Sequence, residues 1–165
     1  ALADSPDQAV SQWAVLGPLS ALAGAPAPEK VAEPLGAEWE NLRADADGKL
    51  HLRKLAGPGK RKDGWLAAVV IESPKAQKVL LGLGGEDSLE VWLNGKPIYG
   101  NGYFNRWEDA FRPNKEIIRP RLSQGANLLV FRVRGAGGLV ITCRGDDVKF
   151  RLPKPGRASG SDRSD

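Results

Sequence analysis

The sequence predicts an all-β protein built as an antiparallel β-sandwich of about 8–10 strands. The chain has 165 residues, of which 20 are Gly and 12 are Pro. Both residue types interrupt helices and mark turns, so their number favours many short strands. Between these turn residues, short segments alternate apolar and polar side chains, as half-buried strands do. A chain of this length can bury one core without disulfides, so we expect one folded domain.

The most apolar segment predicts a central strand of the core. Residues 65–72 (WLAAVVIE) are almost entirely apolar and end at Ser73-Pro74, which is a turn signal. Other short segments that alternate or are mostly apolar predict the remaining strands: 12–16, 49–55, 77–83, 88–93, 97–99, 115–122, 128–134, 139–143 and 148–152.

One hairpin is predicted by its turn residues. Residues 88–93 (SLEVWL) alternate cleanly, and Asn94-Gly95 follows directly. Both turn residues tolerate the positive φ of a type I′ turn, so residues 97–99 are expected to return beside the first strand.

The other segments divide the chain into a module and its flanks. Residues 1–11 are expected to be a lead-in, residues 12–152 the β-sandwich module, and residues 153–165 a disordered linker or tail, because PKPGRASGSDRSD has no apolar residue larger than Ala or Pro. Within the module, residues 20–36 predict a long surface excursion and residues 100–114 a long loop.

The charge pattern is mildly basic. Formal net charge is +4, and much of it comes from the cations of residues 53–62. A solvated loop is the expected interpretation, and the alternative is a site for an anionic polymer. No aromatic residue interleaves these cations, which argues against nucleic acid as a partner. No segment is long and apolar enough to insert into a membrane.

No catalytic constellation is found. Cys143 is the single cysteine, which excludes an internal disulfide, and its apolar neighbours predict a buried thiol. His51 is the single histidine and lies in an alternating segment, where it is expected to face solvent. Phosphate-loop, dinucleotide and zinc motifs are absent from the sequence. We therefore expect a protein that is not an enzyme.

Three segments resemble the galactose-binding-domain-like jelly rolls. They are residues 13–18 (WAVLGP), 84–96 (GGEDSLEVWLNGK) and 124–130 (QGANLLV), and the resemblance covers roughly residues 12–145. The chain departs from the family pattern at 84–87, where small polar residues are common. Such jelly rolls occur as ancillary modules in family 2 glycoside hydrolases and in large secreted bacterial proteins that bind or degrade polysaccharide.

The resemblance implies a non-catalytic carbohydrate-binding module of a secreted multidomain protein. Its expected partners are a polysaccharide or oligosaccharide and neighbouring domains of the parent protein, with no required cofactor. We expect a monomer that is secreted, periplasmic or displayed at the cell surface. The alternatives are a structural or protein-interaction module without a sugar ligand, and binding of an anionic polymer through residues 53–62.

The loop of residues 100–114 is rich in aromatic residues and provides the candidate ligand-binding residues. Flat aromatic rings can stack on the apolar faces of pyranose rings while polar groups fix the hydroxyls. The residues that offer both kinds of group are Tyr103, Asn105, Arg106, Trp107 and Glu108. By contrast, Phe104 and Phe111 are expected to pack the loop onto the sandwich. The tryptophans outside the loop are expected to serve in packing: Trp13, Trp39, Trp65 and Trp92.

The same family resemblance implies a structural calcium. Glu86, Asp87 and Asp109 could supply the clustered carboxylates that this cation prefers. The alternative is that these acids are solvated and hold a turn.

Overall fold

The computed structural model describes residues 7–19, 25–52, 64–86, 88–103, 111–134 and 138–156. These residues form an antiparallel β-sandwich, which confirms the predicted fold class. The strands are β1 Gln8–Ala9, β2 Gln12–Leu16, β3 Glu40–Arg43, β4 Lys49–His51, β5 Gly64–Ser73, β6 Gln77–Lys78, β7 Leu80–Gly85, β8 Ser88–Leu93, β9 Lys96–Tyr103, β10 Glu116–Ile118, β11 Arg121–Leu122, β12 Gly125–Arg134, β13 Gly138–Arg144 and β14 Lys149–Arg151. Within these ranges the helical structure is a 3-10 turn at Pro28–Lys30.

The strands belong to two main sheets. Sheet I has the order β1-β13-β7-β10, and β4 also pairs with β13. Sheet II has the order β3-β2-β5-β12-β8-β9, and β14 also pairs with β5. A short ribbon of β6 and β11 continues β7 and β10 of sheet I. The strand count exceeds the predicted one because short strands such as β1 and β3 carry little periodic signal, and because two predicted strands are each divided in two.

The predicted central strand is the most enclosed strand of sheet II. β5 pairs with β12 along its whole length, from Gly64 opposite Arg134 to Ser73 opposite Gly125. Its alternate residues Trp65, Ala67, Val69 and Ile71 face the core between the sheets. Leu66 and Ala68 face outward but are also fully buried. The continuous apolar run therefore reflects burial on both faces of one strand.

A covering segment, residues 28–39, buries the outer face of sheet II. Val31 and Leu35 are buried and Trp39 is partly buried against Leu66 and Trp92 of the sheet. The described part of the predicted surface excursion is thus a second apolar layer. Trp13 and Trp65 are buried between the sheets, where Trp13 meets Phe131 edge to face with ring centroids 5.3 Å apart. The prediction that these tryptophans serve in packing is confirmed.

The predicted hairpin and its neighbouring turn are held by two asparagines. Asn94 and Gly95 have φ of 51° and 82°, as a type I′ turn requires. Asn127 is fully buried, and its Nδ2 donates to the Ser123 carbonyl at 2.8 Å. Its Oδ1 accepts from the Ser123 amide at 2.8 Å and from Asn94 Nδ2 at 3.1 Å. One buried side chain therefore joins the two turns.

The C-terminal strand is tied to the covering segment by an ion-pair network. Arg151 donates to Glu33 at 2.7 Å and to Glu72 at 2.7 Å. Glu33 also accepts from the Lys154 amide at 2.6 Å, and the Leu35 amide donates to the Lys154 carbonyl at 2.8 Å. Residues 153–156, which the sequence placed in the predicted linker, are therefore bonded to the sandwich. In the part of the chain that the structure describes, no helix has the length and hydropathy to cross a membrane.

Candidate functional site

The ends of seven strands converge at one end of the sandwich, which we call the loop end. In sheet II, Gly64 lies opposite Arg134, and Ser88 lies opposite Tyr103. In sheet I, His51 lies opposite Gly138, and Leu139 lies opposite Gly85. Only three residues separate β12 from β13, and only two separate β7 from β8, so the ends of the two sheets are adjacent.

The predicted ligand-binding residues belong to a connection that leaves this end. Tyr103 is the last residue of β9, in sheet II, and residues 111–115 lie against sheet I. The connection therefore passes from one sheet to the other. Only the backbone of Tyr103 is described, and the other predicted residues lie outside the described ranges: Asn105, Arg106, Trp107 and Glu108. Their role in binding stays a prediction.

The connection ends in residues 111–115, which we call the anchor segment. The anchor segment packs on three outward-facing glycines of sheet I. A methyl group on Gly138 would lie 2.9 Å from the Phe111 ring. One on Gly84 would overlap the Arg112 carbonyl oxygen, and one on Gly82 would overlap Asn114 Oδ1. The absence of side chains here lets the anchor segment lie directly on the sheet. This packing accounts for the glycine at position 84.

Polar contacts also hold the anchor segment. The Thr142 hydroxyl donates to Asn114 Oδ1 at 2.6 Å, and Asn114 Nδ2 approaches Asp7 Oδ2 at 3.5 Å. Asp7 in turn accepts from Arg144 Nε at 3.1 Å. The base of the aromatic connection is therefore fixed to β13 through side chains from three separate parts of the chain.

Phe111 packs between two side chains of β4. Its ring meets the His51 imidazole edge to face with centroids 5.3 Å apart, and Lys49 Nζ lies 5.0 Å from its centroid. Both side chains pack against the Phe111 ring. Phe111 therefore anchors the connection on sheet I, as predicted from the sequence. No local signal indicates that β4 supplies these partners, because His51 and Lys49 lie 60 and 62 residues before Phe111 along the chain.

An aspartate organises the turn that leads into β4. Asp45 Oδ1 accepts from the amides of Asp47 at 2.8 Å and Lys49 at 3.0 Å, while Oδ2 lies 2.9 Å from His51 Nε2. Hydrogen bonds to the Asp45 carboxyl lower its pKa below the usual value. The bond from His51 has the largest effect, and the bond from the Lys49 amide has the second largest. His51 is 35% exposed, so it faces solvent in part, as expected. The pair orients the imidazole against Phe111.

The predicted calcium residues are only partly described. Glu86 is half-buried, and its amide donates to the Gly138 carbonyl at 3.4 Å. Asp87 and Asp109 lie outside the described ranges, as do residues 53–62. Among the residues with a described position, no three His, Cys, Asp or Glu side chains are grouped as metal ligands would be. The calcium site stays a prediction.

The single cysteine is a core residue. Cys143 is fully buried, and burial raises the pKa of its thiol to about 12. A thiol in that environment stays protonated and packs as a small apolar group, which agrees with the prediction.

A cleft that the sequence did not predict lies between the covering segment and sheet II. It has a volume of about 380 Å³ and is lined by residues 29–33, Asn94, Gly95, Ala126 and Leu128. Asn94 Oδ1 accepts from the Leu128 amide at 2.9 Å, and Glu33 is held by Arg151. The Asn94 and Glu33 side chains are therefore already engaged, whereas Glu29 and Lys30 on the same walls are exposed.

Comparison with known proteins gives low-similarity structural neighbours. No protein family matches this chain, and no curated protein matches it. Beta-glucosidase from Kluyveromyces marxianus in complex with glucose is similar with a TM-score of 0.47 and 13% identity, over 82% of this chain and 16% of that one. The GH31 alpha-xylosidase from Xanthomonas citri is similar with a TM-score of 0.34 and 10% identity, over 88% of this chain and 16% of that one. These neighbours are glycoside hydrolase chains, and this chain spans about a sixth of their length.

Proposed function

We propose that this chain is a non-catalytic carbohydrate-binding module, with a galactose-binding-like jelly-roll fold, from a secreted or cell-surface multidomain protein. The observation that carries the proposal is the anchoring of the aromatic connection. The connection starts at Tyr103 in sheet II, ends at Phe111 on sheet I, and is fixed there by Gly84 and Asn114. A rigid framework that presents a variable segment at one end is a common design for binding sites.

The chemistry of the connection supports a sugar as the ligand. Tyr103 and Trp107 would stack on pyranose faces, and Asn105, Arg106 and Glu108 would bind hydroxyl groups. Phe111 is engaged by Lys49 and His51 and serves as an anchor rather than as a platform. The expected ligand is therefore a polysaccharide or oligosaccharide that contacts the residues between Tyr103 and Glu108.

The test is a binding screen of the purified chain against a broad panel of soluble and insoluble polysaccharides, at low and moderate salt. Trp107→Ala and Tyr103→Ala are screened beside the parent chain. Trp39→Ala is the control, because Trp39 is a partly buried aromatic that directly precedes β3, the edge strand of sheet II opposite to β9. Thermal unfolding of each variant checks that it is folded.

The outcomes separate the alternatives. Salt-insensitive binding that is lost in Trp107→Ala or Tyr103→Ala but kept in Trp39→Ala supports the proposal. Binding that falls steeply with salt and is lost when the cations of residues 53–62 are neutralised indicates an anionic polymer instead. Absence of binding across the panel contradicts the proposal and favours a structural or protein-interaction module.

A further inference from the structure

One edge of sheet I combines a backbone that pairs with no further described strand and a row of cations. We call it the cationic edge: residues 117–121 of β10 and β11, with Lys78 of β6 beside them. Among the described strands, β10 is the outermost of sheet I, and β11 pairs with β6 alone. An edge strand of this kind presents N–H and C=O groups that can pair with another chain.

The pairing with β6 and β7 determines which backbone groups of the edge face outward. The amide of Val79 donates to the Pro120 carbonyl at 3.0 Å, so the backbone of Pro120 faces the sheet. In an antiparallel ladder, residues that face the partner strand alternate with residues that face away. Ile117, Arg119 and Arg121 therefore direct their N–H and C=O groups to the free side. The missing N–H of Pro120 falls on the inner side and leaves this outward row uninterrupted.

The side chains of the same three residues lie on the outer face of the sheet. Exposure alternates along the edge: Ile117, Arg119 and Arg121 are exposed, whereas Leu122 is buried. Lys78 lies directly opposite Arg121 and is also exposed. Ile117 is 49% exposed and is the one large hydrophobic residue exposed among those described. Successive cations along the edge are about 7 Å apart, the repeat of two residues in a strand.

No acid of the described structure neutralises these cations. Asp7 is paired with Arg144 at 3.1 Å, and Asp146 is paired with Lys75 at 3.0 Å. Glu116 faces the other side of the edge, towards Tyr99. Burial is the main cause of the raised pKa of Tyr99, and the negative charge of Glu116 is the second cause. Like charges directly opposite on two strands destabilise the pair, so the pairing of Lys78 with Arg121 costs stability that no described partner offsets.

We propose that the cationic edge binds an extended acidic segment of a partner protein as an added β-strand. The partner backbone would bond to the outward groups of Ile117, Arg119 and Arg121. Its carboxylates would meet the two guanidinium groups and the Lys78 ammonium, and an apolar side chain would cover Ile117. This interaction is separate from the proposed sugar site, because the edge lies on the flank of sheet I.

Other occupants fit the edge less well. A second copy pairing through the same edge would place arginine against arginine, which is unfavourable. The chain's own residues 157–165 carry two arginines and two aspartates and so have no net negative charge. An acidic polysaccharide could match the cations but has no peptide groups for the free edge. An acidic peptide satisfies both features.

The test uses the full chain and a short fluorescent peptide in which glutamate and valine alternate. Two comparison peptides carry lysine in place of glutamate, or N-methyl groups on alternate amides that block strand pairing. The variants are Arg119→Glu with Arg121→Glu, and Arg119→Gln with Arg121→Gln as a milder pair. Arg43→Glu is the matched control, because Arg43 is an exposed arginine on β3, the edge strand of sheet II.

The proposal predicts salt-dependent binding of the acidic peptide that falls roughly tenfold or more in both Arg119/Arg121 double variants. Arg43→Glu should bind as the parent chain does, and the lysine and N-methylated peptides should not bind. Equal binding of the N-methylated peptide, with competition by dextran sulfate, would show a general anion-binding surface and overturn strand addition. Absence of peptide binding, or equal binding by the double variants, overturns it as well.

Discussion

The Thr142 hydroxyl and the Asn114 side chain share a hydrogen bond of 2.6 Å on the outer face of sheet I. Asn114 lies just before β10, and Thr142 lies within β13, two strands away across the sheet. The bond passes above Gly82 of β7, whose missing side chain makes room for Asn114. The contact therefore depends on a glycine that takes no part in the bond itself.

The first prediction concerns Gly84. In Gly84→Ala the new methyl group would overlap the Arg112 carbonyl and crowd Val140, so the anchor segment must move. We expect a loss of about 1–3 kcal/mol in the free energy of unfolding, measured by denaturant titration. Gly100→Ala is the control, because nothing lies within 4 Å of the added methyl group. Equal stability of the two variants would contradict the described packing of residues 111–115.

The second prediction concerns the buried amide that joins two turns. Asn127→Ala removes the part-buried bonds to Ser123 and Asn94 and the buried bond to the Ile71 carbonyl. The free energy of unfolding should fall by about 2–3 kcal/mol in chemical denaturation. Asn41→Ala, at an exposed position of β3, should stay within about 0.5 kcal/mol of the parent chain. A similar small change for Asn127→Ala would show that the network contributes little.

The third prediction concerns acid stability. The pKa of Glu33 is lowered from its usual value of 4.5, chiefly by the hydrogen bond from Arg151. Burial opposes this shift, and the hydrogen bond from the Lys154 amide adds to it. A lowered folded-state pKa stabilises the fold above the unfolded-state pKa, and that stabilisation is lost as pH falls through the folded-state pKa. Glu33→Gln should therefore be less stable than the parent chain at neutral pH, and the difference should shrink below about pH 4.5.

Measurement of unfolding free energy across that pH range checks this expectation. Glu29→Gln is the control, because Glu29 is an exposed neighbour in the same segment. A difference between Glu33→Gln and the parent chain that stays constant with pH would rule out an ionised Glu33 as its source.

The fourth prediction concerns the thiol. Because Cys143 is buried with a pKa of about 12, a thiol reagent at pH 8 should label the folded chain roughly a thousandfold more slowly than the denatured chain. The rate should rise with added denaturant, since labelling requires opening of the core. Stopped labelling followed by mass measurement gives both rates. Rapid labelling of the native chain would contradict the burial of β13.

Local sequence signals predicted the parts of the fold that local interactions determine. Asn94-Gly95 predicted its hairpin because the turn needs positive φ at two adjacent positions. Residues 65–72 predicted the central strand because nearly every residue is apolar. The covering segment was not predicted as such, because Val31 and Leu35 are spaced as on one face of a helix, whereas Pro34 between them is unfavourable inside a helix.

The contacts of the candidate site were less predictable. The aromatic residues of the connection stood out by composition, but their anchor uses Gly84 and Thr142, which are far apart in sequence and carry no periodic signal. Likewise, the pair of Glu33 and Arg151 joins residues 118 positions apart. Each charged residue could pair with many residues of opposite charge elsewhere in the chain. Only the folded topology determines which two come into contact.

The network around Arg151 also has a mechanical consequence. A pull on the chain beyond Gly156 is transmitted to Leu35, which is bonded on both sides to the terminal segment. Arg151 bridges Glu33 and Glu72, so the load is shared between the covering segment and the central strand of sheet II. We expect tension applied to the chain beyond Gly156 to be resisted by several bonds at once, so that β14 does not detach one residue at a time.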